Sequence, residues 1–509
     1  MKFSKMIVTV SAFAAGWSFW GDGGVGQRPA TIAAAEIDNY AEALDHLTRE
    51  FLVLLEKDKL LVVWCFDESQ SMRDDQPEIR ERIGRVYEEL SLARKARGNA
   101  VVTSVVSYGE TFRVHTRTPT AKKKEIQSAI EKVPVDKSGK ERMCTALHRA
   151  ITVHHMQSKH EKRKTVLILV TDESGDRKDN IEHLESVVKL ARDAECRIYV
   201  LGREAIFGLP YAHLRWEHPE TKRRHWLKID RGPETAFVQH LQTSGFERRL
   251  DALSSGFGPY EQMRLARETG GIFFALPSVE ISLVQANRRR YELEAMRPYR
   301  PDLRSRLEIL ADRDESPLRQ VLWKLICDLN PNDEKLAKLV TLKTEFKDAD
   351  QMVVALKPTE TYLRYLQSAV ESLESVKVHR DEESSRRWQA NYDLTIAQLI
   401  TFQARIHEYR AQLRSFIKKP HTAPPTRHPN LTLSSWKIYP QKQTIDEDKS
   451  RPLFEKAETL LEATVKEHPG TPWAAQAELE LRRGLGMRIV PKYRPPTNDL
   501  PNETPPPMF

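Results

Sequence analysis

The stretch Lys59–Met72, KLLVVWCFDESQSM, limits what this chain can fold into more than any other. Leu60 to Phe66 is apolar without a break, so it does not fit a strand with one wet face. It fits a central strand of a parallel sheet covered on both sides. The run ends abruptly in Asp67, with Ser69 and Ser71 at alternate positions on the loop that follows. In open α/β sheets, ligand sites lie beyond the carboxyl ends of the strands. Hard oxygen donors of this kind suit Mg²⁺, which takes few carboxylates and keeps water-filled positions. Two later pieces point to the same place: Thr145 in MCTALHRAI, at a helix start, and Asp172 in TVLILVTDESGD, at the end of a second buried strand. Ser and Asp also serve as ordinary helix caps, but three separated pieces in this order favour a metal site.

In that order, the five positions resemble the metal-ion-dependent adhesion site of the von Willebrand factor A domain family, D-x-S-x-S followed by a Thr and an Asp. The resemblance implies a Rossmann-like, doubly wound α/β fold that binds one Mg²⁺ or Mn²⁺ through Asp67, Ser69, Ser71, Thr145 and Asp172. It also implies a partner protein whose acidic side chain completes the metal. Charge agrees, because two carboxylates only just neutralise a dication and leave it able to take a third. RLARETGGIFFAL (264–276) resembles the helix, Gly-Gly turn and last strand that close such domains. The resemblance runs from Lys59 to about Leu276 and no further. Glu68 and Glu173 stand where many family members carry small residues. With Asp74, Asp75, Asp176 and Asp179 they read as solvated loop charges, and this departure bears on the ligand's chemistry more than on the metal.

Around this centre the chain divides into seven pieces. Residues 1–35, with Lys2 and Lys5 before an apolar core and a small-residue run, read as an export signal, a membrane anchor being the less favoured alternative. Residues 36–58 are a lead-in amphipathic helix, and 59–280 the α/β domain, in which strands and helices alternate. Within it, 203–262 is an insertion too long for an ordinary connection. The insertion is expected to hold a β-hairpin, Tyr211–His218 with Arg223–Ile229, and then a helical stretch from Glu234 to Leu253. Trp216, Lys222, Arg223, Arg224 and Trp226 on this hairpin are the candidate partner-binding residues, being types that anchor an interface and attract an acidic ligand.

From about Ile281 the sequence turns Gly-poor and 3.6-periodic, and strands are expected to end there. Residues 281–419 read as a helical scaffold with a coiled-coil seam, folded as an antiparallel hairpin at the polar break His379–Ser385. Residues 420–448 read as a Pro-rich linker, 449–486 as a helical pair resembling a tetratricopeptide-type unit, and 487–509 as a disordered Pro-rich tail.

A mean hydropathy of −0.56 excludes a polytopic membrane protein. The net charge is +8, but the 80 basic and 72 acidic residues are interleaved, which describes a solvated surface and not a nucleic-acid binder. His154, His155 and His160 lack the spacing and the extra ligand of a zinc site. Cys65 and Cys196 read as small core residues, and Cys144 could approach Cys65. Catalysis finds little support: Ser138-Gly139-Lys140 lacks the upstream glycine of a phosphate loop, and no nucleophile elbow occurs. No small-molecule substrate is expected. The reading is an exported, metal-dependent protein-binding or adhesion module. The alternatives are a cytoplasmic adaptor to an ATPase machine and a Mg²⁺-dependent phosphohydrolase.

Overall fold

The computed structural model describes residues 34–494 apart from 37–38, 74, 93–98, 219, 221–223, 250–252, 277–290, 334–335 and 425–430. Strand β2 (Lys59–Asp67) is buried at every position but its first. It pairs in parallel with β3 (Val101–Tyr108) on one side and β5 (Arg163–Val170) on the other. With β1 (Ala34–Glu36), β4 (Phe112–Val114), β6 (Arg197–Arg203) and β9 (Phe273–Leu276), it forms a sheet in the order β1-β9-β6-β5-β2-β3-β4, antiparallel only at β4.

The unbroken apolar run exists because the pleat sends alternate side chains into two separate cores. Leu60, Val62, Trp64 and Phe66 pack with Leu44, Phe51, Ile79 and Ile126, which lie on α1 (Tyr40–Leu55), α2 (Asp75–Leu92) and α3 (Lys123–Glu131). Leu61, Val63 and Cys65 pack with Leu147, Ile151, Val188 and Met263, on α4 (Met143–His160), α5 (Arg177–Asp193) and α6 (Tyr260–Thr269). Gly270 ends α6 in the left-handed region at φ 72. At Gly271 a Cβ would stand 1.9 Å from the Ile198 carbonyl oxygen, so both glycines of the closing turn are required.

The leader read over residues 1–35 overlaps the sheet, because Ala34 and Ala35 pair in parallel with Phe273 and Phe274. A small-residue run suits an edge strand as well as a processing site. Among the described residues, no helix is long and apolar enough to cross a membrane.

The insertion contains the expected hairpin, β7 (Ala212–Glu217) and β8 (Arg224–Ile229). The segment after it is not helical, contrary to expectation. Three of its polar side chains are held by side chains of the helical half: Glu234 forms a buried ion pair with Arg387, Gln239 accepts from Arg387 at 2.8 Å, and Arg249 donates to Gln476 at 2.6 Å. Leu241 and Phe246 meanwhile enter the helical core. Local helical propensity loses to these long-range contacts.

That core, to which α7 (Pro317–Asp328) contributes Leu318 and Leu322, is built around α9 (Arg386–Lys418), 33 residues long. The expected antiparallel packing is present: α8 (Thr359–Ser375) runs against it, with Tyr392 donating to the Leu373 carbonyl and Gln403 to that of Leu366, each at 3.1 Å. The seam is not a two-helix coiled coil, however. Residues from Arg387 to Phe416 are buried on several faces of α9, because α10 (Glu447–Glu467) and α11 (Pro472–Arg483) cover the rest. This helical pair docks on α9 through Trp473, Ala477 and Leu461 against Ala390, Leu394 and Ala397.

Strands also continue past residue 281. Strand β11 (Thr432–Gln441), inside the expected linker, pairs with β10 (Glu345–Phe346) and with β12 (Gly486–Arg494), which runs from the last residue of the expected helical pair into the expected tail. Trp436, Ile438, Met487 and Ile489 from this sheet are buried against α9, which is what holds a Pro-containing segment in place.

Candidate metal centre

At the carboxyl end of the sheet, β2 ends in Asp67, which is fully buried. The Ser69 amide donates to Asp67 Oδ1 at 2.8 Å, so the carboxylate folds the following loop back over itself. Thr171 Oγ1 donates to Asp67 Oδ2 at 2.7 Å, and Tyr108 from β3 reaches the same oxygen at 3.3 Å. Two neighbouring strands therefore fix the carboxylate's orientation. The Ser69 and Ser71 hydroxyl oxygens are 3.0 Å apart, and Ser69 Oγ is 3.4 Å from Asp172 Oδ1. Asp67, Ser69, Ser71 and Asp172 thus form one cluster of hard oxygens.

Thr145, in the first turn of α4, is held by Asp179 at the start of α5, which accepts from both its amide (3.1 Å) and its hydroxyl. The structure does not hydrogen-bond Thr145 to the other four residues. Because its single hydroxyl proton goes to Asp179, its oxygen lone pairs stay available to a cation or to a cation's water. Asp179, expected to be a solvated charge, is instead buried and acts as the positioning residue for Thr145. Asp176 caps α5 through the Lys178 and Asp179 amides.

Glu68 corrects the same expectation more strongly. It is fully buried, accepts from Ser107 Oγ at 2.6 Å and pairs with Arg113 on β4. It turns away into the β3–β4 side of the sheet and has found its own counter-charge. Glu173 stays by the site, its backbone carbonyl fixed by Gln262 Nε2 at 2.6 Å. Sequence reasoning missed Glu141, four residues before Thr145, whose side chain is hydrogen-bonded to Glu173. Nothing in the local sequence marks it, since the chain reaches the site here in an irregular loop.

These carboxyls are crowded, and their protonation shows it. Burial first, then Asp172, pushes Asp67 up to about 7. Burial, then Asp172, Asp230 and Asp67, pushes Glu173 to about 8, and burial with Asp67 and Glu173 pushes Glu141 to about 11. Packed acids beside neutral hydroxyls form a donor set that fits a hard divalent cation, which would replace the shared protons as counter-charge. Asp67, Ser69, Ser71, Thr145 and Asp172 are the residues that would hold it.

The insertion is stitched to this site. Arg231, just after β8, donates through Nε to the Asp172 carbonyl at 3.0 Å, and the Ser174 amide donates to the Asp230 carbonyl at 3.2 Å. Of the candidate partner residues, Trp216 lies opposite His225 and Trp226 opposite Arg215. Since adjacent strand residues point to opposite faces, the two tryptophans cannot serve one surface. Trp216 packs on His218 and His225, while Trp226 is 52% exposed. Lys222 and Arg223 lie outside the described residues, and Arg224 begins β8.

Cys65 and Cys144 do not pair; all four cysteines are free, and Cys144 Sγ donates to Asn180 at 3.2 Å. His154 is a core residue, within hydrogen-bond reach of the Ala150 carbonyl and of Ser104. A second group with metal-ligand chemistry, Asp393, Glu467 and His468, already has its cation, because the Arg380 guanidinium pairs with both carboxylates.

Residues 62–208 match the family model of the von Willebrand factor type A domain. Among curated proteins nothing matches the chain. Solved structures similar to it include the conserved hypothetical protein BatB from Bacteroides thetaiotaomicron, at 14% identity over 45% of this chain and 94% of that one, with a TM-score of 0.26. Another is an aerotolerance-related membrane protein from Bacteroides fragilis, at 14% identity over 45% and 96%, with a TM-score of 0.26. With the parallel sheet, its two helical layers and the family match in agreement, the chain carries a von Willebrand factor type A domain at residues 62–208.

Proposed function

We propose that the domain binds one divalent cation, Mg²⁺ or Mn²⁺, through Asp67, Ser69, Ser71, Thr145 and Asp172, and uses it to capture an acidic side chain of a partner protein in the cell envelope. The observation that carries this reading is the cluster itself: two serine hydroxyls 3.0 Å apart, with Asp67 and Asp172 against them, at the carboxyl end of a parallel sheet. When bound, the cation supplies an electrophilic position for a carboxylate. The chain's own residues do the rest. Thr171 and Tyr108 aim Asp67, Asp179 aims Thr145, and Arg231 fixes the backbone of Asp172.

In this reading the serine hydroxyls and the carboxylates serve as donors to the cation, and the protein acts by binding. The helical half serves as the scaffold that presents this face. Asp67→Ala is expected to abolish Mg²⁺ binding in calorimetry while far-UV circular dichroism stays unchanged. Binding equal to wild type in that variant would overturn the proposal.

A further inference from the structure

A second concave site lies against the hairpin at Trp226, and no residue of the metal cluster lines it. It is a cleft of about 340 Å³ between Trp226 of β8, the irregular segment around Phe246 and Arg248, and Lys437 to Pro440 of β11. Its size falls within the range of small-molecule sites, roughly 300–1,000 Å³.

The walls are aromatic. Trp226 is 52% exposed and Tyr439 39%, an unusual display of large apolar surface for one spot. Phe246, between them, is rooted in the helical core with its ring 5.4 Å from that of Tyr409, so this part of the wall is fixed. The rim is cationic. Lys437 Nζ stands 5.0 Å above the Tyr439 ring and the Arg248 guanidinium 5.4 Å from the Tyr211 ring. Neither forms an ion pair with a carboxylate among the described residues. Deeper in, Arg405 and Arg483 are engaged by Glu480, and Glu247 is the single carboxylate of the lining. The lining therefore carries an excess of positive charge beside exposed ring faces.

We propose that this cleft binds a small anion built on an aromatic ring, such as an aryl carboxylate, sulfonate or phosphate ester. The ring stacks against Trp226 and Tyr439, where the flanking cations strengthen the contact. The anionic group lies toward Lys437 and Arg248, which form no ion pair with a carboxylate among the described residues. Because the hairpin also reaches the Asp172 loop through Asp230 and Arg231, the site joins the insertion to the helical half without using any metal ligand.

The test uses the full chain and two probes of nearly equal hydrocarbon, 8-anilinonaphthalene-1-sulfonate and the neutral N-phenyl-1-naphthylamine. Expected is saturable sulfonate binding with energy transfer from tryptophan, weakened tenfold or more in R248E/K437E and in W226A, with circular dichroism unchanged. The charge-neutral pair R248Q/K437Q should give an intermediate loss, and the neutral probe should not respond to either charge variant. Equal binding of both probes to the wild type, or sulfonate binding indifferent to R248E/K437E and to W226A, would overturn the proposal.

Discussion

Arg387→Met removes one half of an ion pair in which Arg387 is 2% exposed and Glu234 not at all. The guanidinium also donates to Gln239 Oε1 at 2.8 Å and to the Tyr299 carbonyl at 3.1 Å, and lies 5.1 Å over the Trp473 ring. Breaking a buried pair leaves an uncompensated charge, which costs about 3–5 kcal/mol. Glu234 keeps one donor, the Gly208 amide at 3.1 Å, so the expected loss sits near the lower end, about 3 kcal/mol. Removing both charges in E234M/R387M takes away the stranded carboxylate. The double variant should therefore recover half or more of the loss, the remainder reflecting the unpaired Gly208 amide and Tyr299 carbonyl, since Gln239 Oε1 still accepts from Asn391 at 3.3 Å. Guanidinium unfolding followed by far-UV circular dichroism measures all three proteins. A loss below about 1 kcal/mol for R387M, or a double variant as unstable as the single, would refute the argument that the pair's cost lies in the charge left behind.

Burial, with Arg387 and Arg249 nearby, holds the His240 imidazole well below its usual pKa. The unfolded chain therefore binds a proton near pH 6.5 that the folded chain refuses, so this stability is present above 6.5 and lost as pH falls. Relative to H240Q, the wild type should lose up to about 1.4 kcal/mol per pH unit below 6.5 in urea unfolding. Parallel stability curves for the two proteins would contradict the assignment. Export with processing upstream of Ala34, which keeps β1 intact, is expected to yield envelope chains that lack Met1. Mass spectrometry finding only Met1-containing chains, in the cytoplasm, would count against it.

What could be read from the sequence was what local pattern encodes. The two-sided burial of β2 shows in Leu60–Phe66 because both faces of a central strand need apolar residues. The five oxygen-bearing residues show because the loops at strand ends carry them in fixed order. The hairpin shows because two alternating stretches flank residues that read as a polar turn, and α8 against α9 because their seam repeats at steps of three and four. The rest was decided by partners far away in the chain. Strand β11 sits in a Pro-containing stretch without a clean alternation, and it forms because Trp436 pairs with Phe346 on one side, lies opposite Pro491 on the other, and packs against α9. Residues 234–249 gave up a helix because Arg387 and Gln476 satisfy their polar side chains better than their own turns would. Glu68 was indistinguishable from a solvated loop charge until the β3–β4 turn brought Arg113 beside it, and Glu141 until its loop crossed to Glu173. Charges and short strands carry no address in their neighbours, because their free energy depends on which distant group arrives to pair with them.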